Sequence, residues 1–567
     1  MKNEINKEDF YLPQHGLSVA QREEALGKLD KYLDARRANF LGFQADQAFH
    51  YKEVLGKYLD FQLNNLGDPF EAGSFTINSK KIEQAVLDYY AKLWHGKPFN
   101  RTDPESCWGY VLSMGSTEAN LYGLWNARDY LRGMPLSESP KKGIQGKEAV
   151  LPTVRFESTA ANEENDSRKD NALTPILFYS EDIHYSIVKA QQILNLKTFY
   201  EVGIKEYREE CPLDEYRRQK RWPRQVPSNG RVLQGTGSIN IEYLVRLVEF
   251  FAQKGYPILI LFNYGTAFRG AYDQIEEAWE KLKPILESPE TKRTFSHYNV
   301  HGAHLYDESR QCYWFHVDGA LGASYMPFVE RAYDEGRMPF VDIGLELRQS
   351  EKFPRFDFSL PCVNSISMSG HKWIGAPWPC GIYMTRRKYQ LKPPSDPKYI
   401  GAHDSTLAGS RNGLSALIIW NYLAQTSHDR EVTKALYTQR MANYAYQQLK
   451  KLEGELILRG DLNEDGLWLH RSPLSLSVCF KKVRDDLMYK YSLNREEFEY
   501  EGQKRAYNHI FAMEHVTEET IDRLVEELAR PGAFPTQNGE VNPLALAPTK
   551  LFLERVINIA TNSYGEK

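Results

Sequence analysis

No stretch of the 567-residue sequence approaches the ~20 apolar residues of a membrane span, and the N-terminal Met1 to Asp9 holds no apolar core of signal-peptide length. A membrane-spanning or secreted chain is set aside, and a cytoplasmic one is expected. Cysteine is scarce: six residues, at 107, 211, 312, 362, 380 and 479, form no C-x-x-C pair, so neither a zinc site nor a disulfide framework is signalled. Charge of one sign is lacking too. Lys+Arg 71 against Asp+Glu 75 leaves a net charge of -4 and no electrostatic footprint for nucleic acid or an anionic membrane surface. Internal repeats, low-complexity tracts and the G-x-x-x-x-G-K-[ST] nucleotide loop are absent as well. What remains is a chain long enough to bury a large core, with a small molecule as its expected partner.

Between about Leu17 and Leu66 apolar residues recur at helical spacing (Leu26, Leu29, Leu33; Val54, Leu55, Tyr58, Leu59), which predicts a helical arm. A helix is expected over Ile82–Trp94. Beyond it, short apolar runs alternate with helical segments, the pattern of an α/β domain with a largely parallel sheet. Strands are expected at Gly109–Ser113, Ile176–Ser180, Pro257–Phe262, Tyr313–Val317 and Ser365–Ser369. Two polar interruptions, Pro135–Ala172 and Tyr207–Gly237, read as solvated insertions, with a basic docking patch at Arg217–Arg221 as the alternative. After roughly residue 425 the pattern returns to helices with strands at Leu474–Phe480 and His509–Met513, then a helix at Lys550–Ala560 and a tip, Asn562–Lys567, expected to fray. The division expected is an arm at 1–80, a large domain at 81–425 and a small one at 426–567.

The chemistry gathers at the strand ends. Ser369-Gly370-His371-Lys372 sets a lysine on a tight turn, where an amine of lowered pKa can form a Schiff base; alone, such a lysine is more often a solvated charge. Asp318, at the end of another strand and followed by the small Gly319 and Ala320, suits the ring nitrogen of pyridoxal phosphate, although an aspartate there could simply cap the turn. Gly115-Ser116-Thr117 opens a helix, where free N–H groups and the helix dipole favour an anion; many ligand-free helices have such caps. His184 and Thr266 each follow a strand at the same edge of the sheet, where open α/β sheets bind ligands, although a lone histidine such as His184 is more often structural.

Together with Leu63–Phe70, Trp108–Val111, His184-Tyr185-Ser186, Pro379-Cys380-Gly381 and Gly409–Gly413, these segments resemble the group II pyridoxal-phosphate decarboxylases over residues 55 to 425. Within that family the bacterial histidine and plant serine decarboxylase branch is the nearest in pattern. The resemblance implies an aspartate-aminotransferase-like fold (fold type I), with an N-terminal helical arm and a smaller C-terminal α+β domain. It also implies Lys372 as the lysine that carries pyridoxal 5'-phosphate, Asp318 on the ring nitrogen, His184 stacked on the ring, and Ser116, Thr117, Ser369 and His371 on the phosphate. Thr266 and Ala320 join the cofactor set, and Tyr399 matches a tyrosine that reaches into the partner subunit's site to protonate the substrate carbon, so a homodimer with shared sites follows. The reaction implied is decarboxylation of an L-amino acid to its amine.

Two departures stand out. The chain is longer than that branch, and Leu414 replaces its usual histidine. Leu414, Trp373, Trp378 and Phe75 are expected to wall an apolar pocket suited to methionine, leucine or valine. The alternatives are histidine or an aromatic amino acid as substrate, or an aminotransferase or aldehyde-forming oxidative deaminase, for which Arg411 could clamp a carboxylate. A cofactor-bearing scaffold without turnover is the remaining reading.

Overall fold

The computed structural model describes residues 5–139, 152–156, 167–230, 236–299, 301–338, 353–392, 398, 400–401, 403–500 and 503–535. The helix expected at Lys550–Ala560, the tip Asn562–Lys567 and Tyr399 lie outside these residues.

Seven strands form the central sheet: β1 (Cys107–Leu112), β3 (Ile176–Phe178), β4 (Lys197–Thr198), β5 (Ile258–Asn263), β8 (Tyr313–Asp318), β9 (Val363–Ser369) and β10 (Gly381–Arg386). Their order is β1-β10-β9-β8-β5-β3-β4; β10 runs antiparallel to both neighbours, and β9, β8, β5, β3 and β4 are mutually parallel. All of these strands but β4 are buried along their length because helices cover both faces. Alternation in β5 shows the sorting: Ile258, Ile260 and Phe262 join the core beneath the helices Lys80–Leu93, Ile241–Gln253, Ile275–Leu286 and Gly322–Asp334, while Leu259 and Leu261 face Ser116–Leu131 and Tyr185–Ile193.

A second sheet, β2 (Thr153–Phe156), β6 (Arg293–Tyr298) and β7 (His304–Arg310), is antiparallel in the order β2-β6-β7. Because β2 comes from within Pro135–Ala172, that interruption is partly structural rather than wholly a solvated insertion. Along Tyr207–Gly237, exposed ion pairs occupy Arg217 (with Asp214) and Lys220 (with Glu209), but Trp222 is buried and Val226 bonds to Tyr179 beside β3. A third sheet, β11 (Ser477–Lys481), β12 (Asn494–Tyr500) and β13 (Gln503–Phe511), in the order β11-β13-β12, packs with the long helix His428–Arg459 and Glu518–Leu528 around its own core of Leu449, Phe480, Ile510 and Leu524.

The helix Val19–Arg37 opens with a capping box between Ser18 and Gln21, yet it buries only Ala25, and Leu26 and Leu33 stay 52% and 51% exposed. After it the chain runs against the third sheet: the Leu41 amide donates to the Tyr491 carbonyl at 3.1 Å, and Phe511 donates to the Leu41 carbonyl at 2.7 Å. Gly42 allows this close approach, because a Cβ there would lie 2.1 Å from the Ser492 carbonyl oxygen.

Candidate active site

Lys372 lies on the turn that leaves β9, where the Gly370 amide donates to the Cys380 carbonyl at 2.8 Å. Its amine donates to Gln44 Oε1 at 2.6 Å, and Gln44 Nε2 in turn donates to the Thr266 carbonyl at 3.3 Å. Burial pushes the amine down to about 8, against the opposing pull of the Asp318 charge. A half-buried lysine of lowered pKa held this way is a far better nucleophile at neutral pH than a solvated one.

Asp318 ends β8, buried, and receives two donors, Asn120 Nδ2 at 2.8 Å and the Ala320 amide at 3.1 Å; the Ser367 hydroxyl stands 3.3 Å away, with its one proton nearer Asn120 Oδ1 at 3.1 Å. Ala320 also ties this strand end to the next, since its carbonyl accepts from the Ser369 amide at 3.0 Å. His184 is the N-cap of Tyr185–Ile193, with its Nδ1 2.8 Å from the Ser186 hydroxyl. Burial lowers its pKa first; the Asp318 charge raises it and the Lys372 charge lowers it, so all three groups share one locality.

At the start of the helix Ser116–Leu131 the Ser116 amide donates to Ser369 Oγ at 3.2 Å, and the two hydroxyls meet at 2.8 Å. Gly115 has φ +68°, and a Cβ on it would stand 2.6 Å from Cε1 of His371. Only glycine therefore serves at this turn. His371 faces the Cys380 carbonyl through Nδ1 at 3.3 Å, which places its proton there. Thr117 is exposed in the first helical turn, and the buried Thr266 uses its hydroxyl to accept from the Ala271 amide at 2.9 Å.

The structure thus gathers Lys372, Asp318, His184, Ser116, Ser369, His371, Thr266 and Ala320 at one edge of the sheet, with Thr117 on the open side. These residues fit pyridoxal phosphate: hydroxyls at a helix N-terminus for the phosphate, a donor-lined buried carboxylate for the pyridine nitrogen, and a lysine of lowered pKa for the aldehyde. Sequence reasoning missed Gln44 and the pair Asn120 and Ser367. Asn120 did carry a signal, since it lies one helical turn beyond Ser116 and so on the same face.

Two further expectations meet the structure here. Leu414 and Trp378 line a cavity of about 690 Å³ together with Phe49, Tyr51, Ile418 and His371. Trp373 does not: it is buried, stacked on Tyr325 at 4.8 Å, and its Nε1 donates to Glu431 at 2.8 Å; nor does Phe75 line that cavity. Arg411 is also committed elsewhere. Its guanidinium pairs with the buried Glu83 and donates to the Val111 and Gly67 carbonyls at 3.1 and 2.8 Å, so it is not free to clamp a substrate carboxylate.

No protein-family model matches the chain. The solved L-methionine decarboxylase from Streptomyces sp. 590 is 40% identical, with 93% of this chain and 98% of that one covered and a TM-score of 0.81. Serine decarboxylase 1 of Oryza sativa subsp. japonica is 25% identical over 93% of this chain and 80% of its own length. Histidine decarboxylase of Vibrio anguillarum is 26% identical, covering 89% and 94%. The likeness therefore extends well beyond residues 55 to 425, and the length of the chain is no departure from its relatives.

Proposed function

The chain belongs to the group II pyridoxal-phosphate-dependent amino acid decarboxylases, and from that membership we propose that its substrate is an L-amino acid with an aliphatic side chain, methionine ahead of leucine and valine. The observation that carries this choice is the likeness to L-methionine decarboxylase over nearly the whole of both chains. Leu414 and Trp378, in the wall of the cavity beside His371, agree with it.

The bound cofactor supplies an electron sink for the carbanion left when carbon dioxide departs. In our reading Lys372, uncharged more often than an ordinary lysine, would hold the cofactor through its aldehyde. Asp318 would hold the proton of the ring nitrogen. His184, whose pKa burial lowers, would contact the ring together with Thr266 and Ala320. Ser116, Thr117, Ser369 and His371 hold the phosphate. Tyr399 is assigned on resemblance alone, as the donor of the proton to the substrate α-carbon in the partner subunit's site.

We extend the proposal to a cytoplasmic homodimer with an arm at 1–80, a cofactor domain at 81–425 and a small domain at 426–567. Support for the arm comes from the exposed Leu26 and Leu33, support for the small domain from its separate core, and support for a reducing compartment from six buried free cysteines.

The test is carbon dioxide release from a panel of L-amino acids by cofactor-loaded protein, with products identified by mass spectrometry. Amine from methionine, leucine or valine with histidine inert is expected. Preference for histidine or an aromatic substrate overturns the substrate, and keto acid or aldehyde without amine overturns the reaction. In Lys372→Ala the visible absorbance of the bound cofactor and the activity should both vanish.

A further inference from the structure

The face of the helix Ser116–Leu131 that looks at the sheet carries Ser116, Asn120 and Gly123, one turn apart. Gly123 admits the ring of His316, since a Cβ there would lie 2.7 Å from its Cε1. Between them, Asn120 touches four side chains that come from three separate strand ends or loops. Its Nδ2 donates to Asp318 Oδ2 at 2.8 Å and to the Ser186 hydroxyl at 3.3 Å; its Oδ1 accepts from the Ser367 hydroxyl at 3.1 Å and faces His316 Nε2 at 3.0 Å. Asn120 is 1% exposed, and its amide has no solvent to fall back on.

The directions of these bonds form one consistent set. A carboxylate only accepts, so Asp318 fixes which end of the Asn120 amide faces it. Oδ1 must then accept from His316, which puts the His316 proton on Nε2 and leaves Nδ1 to accept from Ser365, 2.7 Å away. On the other arm, Ser186 receives from Asn120, and both its hydroxyl and its amide point at His184 Nδ1, at 2.8 and 3.3 Å. His184 Nδ1 is therefore an acceptor and the ring carries its proton on Nε2. We propose that Asn120 is the positioning residue that couples the two cofactor contacts, setting the orientation of Asp318 directly and that of the His184 ring through the Ser186 hydroxyl. This rests on the assignment of Asp318 and His184 to the cofactor ring.

Asn120→Asp keeps the shape and reverses the donor, placing a second carboxylate oxygen against Asp318. Two carboxylates so close cannot both hold full charge and share a proton. The kcat/KM profile of Asn120→Asp should gain an ionisation that the wild type lacks. In Asn120→Ala, loss of a hydrogen bond to a charged group should weaken pyridoxal phosphate binding by the apoprotein, read by tryptophan quenching, roughly tenfold or more, with the visible band still forming at saturation. Ser186→Ala should weaken binding less, and should add little in the Asn120→Ala background.

Wild-type affinity in Asn120→Ala, full additivity with Ser186→Ala, or a wild-type pH profile in Asn120→Asp each overturns the proposal. Should Asn120→Asp fail to fold, the Ala pair still decides. If instead the wild-type protein takes up no pyridoxal phosphate, or Lys372→Ala keeps the visible band, it is the assignment of the cofactor site that fails.

Discussion

On the proposed assignment, the ionisation of Lys372 sets how fast the apoprotein takes up its cofactor, because only the uncharged amine attacks an aldehyde. With its pKa lowered to about 8, roughly one Lys372 amine in ten is uncharged at pH 7; at the ordinary value of 10.5 the fraction is about one in three thousand, a difference of about 300-fold. The assay is stopped-flow growth of the visible band when apoprotein meets pyridoxal phosphate, divided by the rate of a free alkylamine at the same pH so that ionisation of the cofactor cancels. Multiplied by the uncharged fraction of that free amine, the rate should rise about tenfold per pH unit below 7 and flatten above 8. Gln44→Ala makes the test sharper. Gln44 accepts from the amine at 2.6 Å, and an ammonium gains more from that bond than a neutral amine does, so removing it should move the inflection to lower pH. An inflection near 10.5 in the wild type, or an upward shift in Gln44→Ala, would refute the view that the amine is desolvated and held by Gln44.

The buried pair of Arg411 and Glu83 gives a stability prediction: Glu83→Gln leaves the guanidinium without its anion, and the Gln side chain can no longer accept from both Asn65 Nδ2 (2.7 Å) and the Val111 amide (2.8 Å). A loss of about 3–5 kcal/mol is expected in urea unfolding, and a variant within about 1 kcal/mol of wild type would contradict it. For the arm, Leu26→Asp with Leu33→Asp should shift the mass seen by light scattering from dimer to monomer and remove activity; an unchanged mass would place the subunit contact elsewhere.

How much could be read from the sequence follows from how each element is buried. Strands such as Ile258–Asn263 are covered on both faces, so their apolar runs are plain, and the candidate site residues adjoining such strands, Asp318 and Lys372 above all, can be picked out with them. Two of the strands that escaped notice have polar sequences: His304–Arg310 is largely exposed and reads His-Leu-Tyr-Asp-Glu-Ser-Arg, and Asn494–Tyr500 reads Asn-Arg-Glu-Glu-Phe-Glu-Tyr, whereas Gly381–Arg386, also unforeseen, is buried throughout. Polar sequences of that kind become strands by hairpin pairing with the strand next to them, His304–Arg310 with Arg293–Tyr298 and Asn494–Tyr500 with Gln503–Phe511. In the site, distance along the chain hid the partners of the candidate residues. Gln44 meets Lys372 across 328 positions and Asn120 meets Asp318 across 198, and no local pattern encodes either contact. Trp373 misled for the opposite reason: next to Lys372 in sequence, its ring turns into the core against Tyr325.

The turn that carries Lys372 is braced from both ends of the chain, which bears on why the likeness to L-methionine decarboxylase runs nearly end to end rather than stopping at the cofactor motifs. The Lys372 carbonyl accepts from the Asp46 amide at 3.0 Å, and the Asp46 side chain pairs at 2.8 Å with Lys434, which also donates to the Trp373 carbonyl at 2.9 Å. Lys434 pairs further with Glu514 at 3.0 Å, so the N-terminal segment, the long helix His428–Arg459 and the residues just after the third sheet close on the two sides of one lysine. His509, from that sheet, places one ring nitrogen 3.0 Å from the Gly42 carbonyl and the other 2.9 Å from the Phe268 carbonyl, two residues from Gln44 and from Thr266 respectively. A neutral ring can donate to only one of these carbonyls, and burial pushes the His509 pKa down to about 4. The clasp between the N-terminal segment and the Thr266 loop is therefore only half made near neutral pH, and the positions of Gln44 and Thr266 depend on packing around it. Substitutions in the small domain, far in sequence from every cofactor contact, can on this geometry reach Lys372 through Gln44.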